Sequence, residues 1–285
     1  MSTDTPIIQP ISSDIVGDSE KFLLYGDPGM GKTFAALTLP EPVLFIAVGA
    51  PNEAKTYYSK QFQKKHGKKE IHIGVAEEST DQKGGFYGDP IGFDNACTIL
   101  DTALEQEEVG TFTFNSIVID NATILSEFQM NKVLSISYID ANDKSGTAYL
   151  KLREHGIRTP YDSDWGGAMS LMNEFVTWLF QLNKHVALVA HEHKDQIADR
   201  KSHSQVIKGV KPLFVGKQRT TISNRFDNVW RFTRNAQFYE ARTTSLNSPY
   251  DIIAKTRIGG VIEEDYRNPD LGDSIRELQK AAKEV

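Results

Sequence analysis

The sequence predicts an α/β fold, a mostly parallel central sheet flanked by helices and followed by a C-terminal antiparallel meander. Three observations carry this. Short, fully apolar runs recur along the chain and alternate with stretches whose apolar residues fall at helical spacing. A glycine-rich loop joins the first such run to the first helical stretch. The last quarter alternates apolar with polar residues and turns often.

Each element follows in order. Residues 1–19 are polar, hold Pro6 and Pro10, and read as a flexible arm ahead of a single domain over 20–285. Residues 22–25 and 43–48 read as buried strands, with a helix over 33–39 between them that Pro40 ends. Residues 55–70 are polar and basic, a surface helix with a loop, and 71–75 make a weaker strand. Phe93, Ala96, Cys97, Leu100, Ala103 and Leu104 mark an amphipathic helix. A strand over 116–119 leads into a helix over 123–139. Residues 142–164 form a long polar excursion. Met169, Met172, Phe175, Val176, Leu179 and Leu182 mark another helix, and 186–190 another buried strand. A second, basic excursion covers 191–220. The meander comprises 229–232, 238–242 and 251–254, and 275–283 closes the chain as a helix.

Composition limits the function classes. The 285 residues are 39% hydrophobic and 25% charged, the balance of a soluble globular protein rather than a disordered or collagen-like chain. The single cysteine, Cys97, cannot form an internal disulfide. No apolar run approaches the ~18 residues of a membrane helix. The N-terminal segment lacks the basic start and apolar stretch of a signal peptide, so a cytoplasmic location and no membrane partner are expected. A net charge of −6 argues against a uniformly basic nucleic-acid binder. It leaves room for a basic surface on an acidic body.

Gly26, Asp27, Pro28, Gly29, Met30, Gly31, Lys32 and Thr33 match G-x-x-x-x-G-K-[ST] at every fixed position, between a strand and a helix. Glycines let successive backbone N–H groups curl around a phosphate. Lys32 can reach the β- and γ-phosphates, and the Thr33 hydroxyl can bind Mg²⁺. The second nucleotide element should be an acid at the end of a buried strand. Asp120, after 116–119, fits as a ligand to the Mg²⁺ shell, and an aspartate there also suits a helix N-cap. Asn121 follows it, where chaperone-like AAA+ ATPases carry a glutamate. No guanine-reading Asn-Lys-x-Asp stands in a suitable place, so ATP is favoured.

These residues resemble the RecA-like core ATPases, and most closely the phage-encoded, Sak-type, AAA-like single-strand annealing proteins. The likeness spans about residues 22–259 and includes GDPGMGKT, SIVID, VALVAHEHKD, KPLFVGKQRTTISNRFDNVW and AKTRIGG. It implies ATP binding, binding of single-stranded DNA, assembly into a ring or filament, and a role in DNA recombination in a host cell. A single-strand-binding protein is a further implied partner. Carried over residue by residue, it makes His191 a γ-phosphate sensor at a strand end. It makes Lys255 and Arg257 a K-x-R element reaching a neighbouring subunit's ATP, both on one face of a strand. An exposed strand-end histidine and a charged edge strand are the plainer alternatives. The sequence departs from the family at the catalytic acid, because 47–50 hold none. Glu53 is the first candidate, with Glu77 and Glu78 as rivals. A poorly oriented water would make turnover slow.

Between 194 and 234 the chain carries ten Lys or Arg against three Asp, a net +7. A positive segment beside an ATP site suits a phosphate backbone, and Lys208, Lys211, Lys217 and Arg219 are its candidate DNA contacts. Solvated loops, or loops facing an acidic neighbour, are the alternatives. His191 and His193 have H-x-H spacing but lack the further ligands of a zinc site. The expected function is therefore an ATP-binding, ssDNA-dependent ATPase of recombination and strand annealing. A P-loop phosphotransferase and a regulatory ATP-binding switch with weak turnover stand as alternatives.

Overall fold

The structure, a computed structural model, describes residues 19–78, 90–142, 160, 162–198, 205–257 and 260–283. The strands are β1 (Lys21–Tyr25), β2 (Val43–Val48), β3 (Ile71–Ala76), β4 (Ser116–Asp120), β5 (His185–Ala190), β6 (Glu192–Ala198), β7 (Gln205–Pro212), β8 (Asn228–Arg234), β9 (Tyr239–Arg242), β10 (Asp251–Ile252) and β11 (Asp265–Arg267). The helices are α1 (Lys32–Ala36), α2 (Lys60–His66), α3 (Gly92–Glu108), α4 (Ala122–Asn142), α5 (Asp162–Gln181), α6 (Gln218–Arg225) and α7 (Leu271–Lys283), with a 3₁₀ turn over Pro51–Tyr58.

Among the described residues the main sheet has eight strands in the order β11-β9-β8-β1-β5-β4-β2-β3. The run from β8 to β3 is parallel throughout, and β9 and β11 extend it antiparallel. The apolar runs are central strands because both faces are covered. Leu23, Tyr25, Ile46, Ile119 and Leu188 pack under α3, α4 and α5. Phe22, Leu24, Phe45, Val118 and Val189 pack under α1, α2 and α7. Alternate residues of one strand thus serve opposite layers.

Several expectations change. Within the 191–220 excursion the described residues form an antiparallel β6–β7 pair with a bulge at Asp195/Gln196, followed by α6. A two-stranded ribbon with polar residues on both faces lacks the alternation that marks a half-buried strand, so its pattern reads as a loop. Residues 251–254 leave the meander, since β10 pairs parallel with β7 in a second, three-stranded sheet, and β11 takes its place at the edge. Lys255, Thr256 and Arg257 do not form a strand; Lys255 makes one isolated bridge to Val229. The first helix is shorter than its sequence pattern, and the basic stretch after β2 divides into the 3₁₀ turn and α2. The arm over 1–18 and most of the first excursion, 143–159 and 161, lie outside the described residues.

Candidate nucleotide site

The site forms where the parallel strands end. In register, Tyr25 lies beside Ala190, Val189 beside Asp120, and Asp120 beside Ala47. The residues that follow β1, β5 and β4 therefore gather at one edge of the sheet, the usual place for ligands in open α/β sheets. The strand β5 separates the phosphate-loop strand from the aspartate strand.

The loop needs its glycines for room. A Cβ on Gly26 would stand 2.4 Å from the Phe232 carbonyl oxygen. Gly31 has φ +88°, and a Cβ there would stand 2.8 Å from the Tyr239 ring. The Lys32 ammonium donates to the Gly26 and Asp27 carbonyls, both at 2.8 Å, bending back over the loop it serves. The Thr33 hydroxyl donates to Asp120 Oδ2 at 2.5 Å. The sequence-predicted magnesium pair is thus in contact, and a hard cation with oxygen ligands fits this hydroxyl–carboxylate pair. A cleft of about 330 Å³ runs over the loop, lined also by Thr56, Ser59, Asn121, His191 and Tyr239.

Asn121 and His191 form a second unit. Asn121 Oδ1 accepts from the Thr123 N–H at 2.8 Å, which turns its Nδ2 toward His191 Nε2 at 2.6 Å. An amide donating to Nε2 puts the imidazole proton on Nδ1. The His191 N–H donates to Thr123 Oγ1 at 2.9 Å, and that hydroxyl donates to the Leu213 carbonyl at 2.8 Å. Asn121, next to Asp120, is thus linked by hydrogen bonds through His191 and Thr123 to the end of β5 and to Leu213 just after β7.

The hairpin is strapped to the phosphate loop. Lys194 Nζ lies 2.5 Å from Asp27 Oδ2 and 3.1 Å from Glu192 Oε1, and Glu192 pairs with Arg231 at 3.0 Å. The Glu192 side chain is 1% exposed. A buried carboxylate needs such partners. The hydrogen bond to Asp27 holds the Lys194 amine above the usual lysine value. The sequence marks Asp27, Lys194 and Arg231 only as loop or charge; only the fold shows them joined.

The other candidates separate. Lys208 and Lys217 are exposed. Lys211 is paired with Asp195 at 2.9 Å, and this pair draws the Asp195 carboxyl below its ordinary value. Arg219 is half-buried near the same carboxylate. Lys217 and the partly exposed Trp165 line a groove of about 610 Å³ beside α5, a feature the sequence reading missed. Arg257 lies near the N-terminal ends of β1 and β8: its N–H donates to Asn228 Oδ1, its guanidinium meets Asp227 at 3.4 Å, and Lys255 donates to the Asn224 carbonyl. The phosphate loop of the same chain lies at the far end of β1, roughly five residues or about 17 Å away.

Among the described residues lining the cleft, no carboxylate other than Asp120 is placed to orient a water. Glu78 is engaged at the start of α3, accepting from the Gly92 N–H at 2.9 Å and from Asn131 Nδ2 at 3.3 Å. Glu77, like Glu78, follows β3 at the sheet margin, two strands from Asp120. The Glu53 backbone belongs to the 3₁₀ turn, and its side chain lies outside the described set. Among the described residues lining the phosphate cleft, Asp120 is the sole carboxylate. Among the described residues no group of three or more His, Cys, Asp or Glu gathers as a metal site, and His193 pairs with Asp195 at 3.3 Å, apart from His191. No described helix is long and apolar enough to cross a membrane.

A family model for an AAA domain matches residues 18–258, most of the chain. No curated protein matches the sequence.

Proposed function

The chain belongs to the AAA domain family, with an ATP-binding P-loop NTPase core, and on that premise we propose that it uses ATP and Mg²⁺ to set the grip of its basic hairpin on single-stranded DNA, in support of strand annealing and homologous recombination. The more specific assignment we propose is the phage-encoded, Sak-type group. One observation carries the reading. The hairpin grows directly from His191 and is ion-paired through Lys194 to Asp27 of the phosphate loop. A ligand that reorganises this loop acts on the hairpin through a contact already made.

In this reading Gly26 to Thr33 cradle the triphosphate and Lys32 turns from the carbonyls to the β- and γ-oxygens. Thr33 and Asp120 hold the cation, which screens charge on the phosphates when bound. His191, fixed through Asn121, senses the γ-phosphate. Lys208 and Lys217 meet the DNA backbone and Trp165 offers a stacking surface, with Lys211 and Arg219 joining once Asp195 is outcompeted. Lys255 and Arg257 act in trans within a homo-oligomer, and a single-strand-binding protein is the natural co-worker. The cleft's single described carboxylate favours slow turnover, so the protein works more as a nucleotide-gated binder than as a fast ATPase.

Lys32→Ala should abolish binding of Mg²⁺·ATP in calorimetry while the protein stays folded. Reversing Lys208, Lys211 and Lys217 to Glu should weaken binding of labelled ssDNA and leave ATP affinity alone. Unchanged ATP affinity in folded Lys32→Ala protein would end the nucleotide reading. Absence of ssDNA binding by the wild type at low salt would end the DNA reading.

A further inference from the structure

Strand β3 closes one margin of the main sheet, and among the described residues only β2 pairs with it. The Val43 N–H donates to the Glu70 carbonyl and the Gly49 N–H to the Ala76 carbonyl, both at 2.9 Å. Backbone groups alternate sides along a strand, so the even-numbered residues of β3 serve β2. The N–H and C=O groups of Ile71, Ile73 and Val75 therefore face outward. We propose that this edge pairs antiparallel with β3 of a second copy of the chain, about a two-fold axis at Ile73.

The edge lacks what keeps sheets apart. Exposed edges ordinarily carry a proline, a central charge or a bulge. Residues 71–76 hold no proline, lysine, arginine or acid, and they pair with β2 in unbroken register. The strand presents apolar surface instead, with Ile73 50% and Val75 38% exposed.

The occupant follows from self-complementarity. A two-fold contact sets one strand against its own copy, which makes the pairing antiparallel. With Ile73 opposite its mate, Ile71 stands opposite Val75, and all three outward residues fall in hydrogen-bonded pairs. A slip of one residue would set outward groups against inward ones and lose those bonds. Directly opposite residues point to the same face, so the exposed Ile73 and Val75 are covered by the mate's own apolar row. The charges agree with this direction. Lys68 and Lys69 precede the strand and Glu77 and Glu78 follow it, so an antiparallel mate brings each basic end to an acidic one. A parallel mate would set lysine against lysine and glutamate against glutamate. The strand lies four strand spacings, about 19 Å, from β1, so the contact is separate from the phosphate loop.

Sedimentation of the full-length protein without nucleotide reads the assembly. The wild type should run as a dimer. Ile73→Lys, which opposes two charges across the axis, should halve the mass and keep the folded circular-dichroism spectrum. A cross-link reads the register independently of that variant. Residues opposed in a hydrogen-bonded pair have Cα atoms about 5.5 Å apart, within reach of a disulfide. Ile73→Cys protein treated with diamide should run as a covalent dimer. Val75→Cys protein should not, because its mate stands four residues along the strand, about 14 Å away. Nor should the wild type, whose single thiol is Cys97. A monomeric wild type, an assembly whose mass Ile73→Lys leaves unchanged, or equal cross-linking at 73 and 75 would overturn the proposal. The second of these outcomes would leave the assembly through Arg257 standing.

Discussion

Gly31 answers two demands at once, a left-handed backbone and contact with the Tyr239 ring. Gly31→Ala should therefore cost about 1–2 kcal/mol for the backbone alone, and more for displacing the ring. Thermal unfolding and ATP titration should both register the change; a variant with the wild-type midpoint and affinity would show the loop is looser than described. The Thr33–Asp120 contact makes a different claim. Thr33→Ala should weaken ATP binding in the presence of Mg²⁺ far more than in EDTA, because it removes a cation ligand and leaves the anion cradle. Equal losses in both buffers would contradict that role. The phosphate loop was readable because its residues are consecutive and their chemistry is local. Tyr239 was not, because its place beside Gly31 depends on β9 folding back against the first strand's loop. Asn121 was noticed for what it replaces, and its bond to His191 needed the strand order to appear.

At the scale of elements, the buried strands were legible and the hairpin was not. Runs such as 43–48 announce a strand covered on both faces. The β6–β7 ribbon gives no such signal, since Ile197 and Val206 stay exposed near its outer end and its charges are paired along its base. Lys255 and Arg257 were spaced correctly for a strand, yet only Lys255 finds a bridge. The hairpin's tether yields a prediction. Lys194→Ala removes a partly exposed pair with Asp27 that contributes at most about 1 kcal/mol and one of the two partners of the buried Glu192, which keeps Arg231, so the domain should stay folded with a lowered melting temperature. What should vanish is the nucleotide-dependent change in hydrogen exchange over residues 192–212. Protection that still responds to ATP in this variant would show that the signal bypasses Asp27. The core supplies the contrast. Trp230 is fully buried with its ring edge-on to Phe22 at 5.2 Å. Trp230→Ala should destabilise the whole domain by about 3–5 kcal/mol, seen as a lower denaturant midpoint with nucleotide and hairpin responses lost together.

For the whole molecule, the two ends of the sheet carry the argument. The phosphate loop and Asp120 lie at the C-terminal ends of the strands, while Arg257 lies by the N-terminal ends, beside Asp227. The phosphate loop of the same chain is out of its reach, so the proposed contact of Arg257 with phosphate requires a neighbouring subunit. Arg257→Ala should bind ATP normally and lose turnover. Mixed with Lys32→Ala protein, it should regain part of the activity, because some interfaces then pair an intact loop with an intact arginine. Co-assembly without recovery would remove Arg257 from catalysis. The charge pattern speaks to the other partner. A chain with net charge −6 that still exposes Lys208 and Lys217 at and beside the hairpin should bind ssDNA with affinity that falls as salt rises. The most direct test of the account is the anisotropy of a labelled single strand titrated with wild-type protein in Mg²⁺·ATP, in Mg²⁺·ADP and without nucleotide. The account predicts binding whose affinity differs between ATP and the other two conditions, with the difference abolished in Lys32→Ala and Lys194→Ala. Affinity identical in all three conditions, or no binding in any, would contradict it.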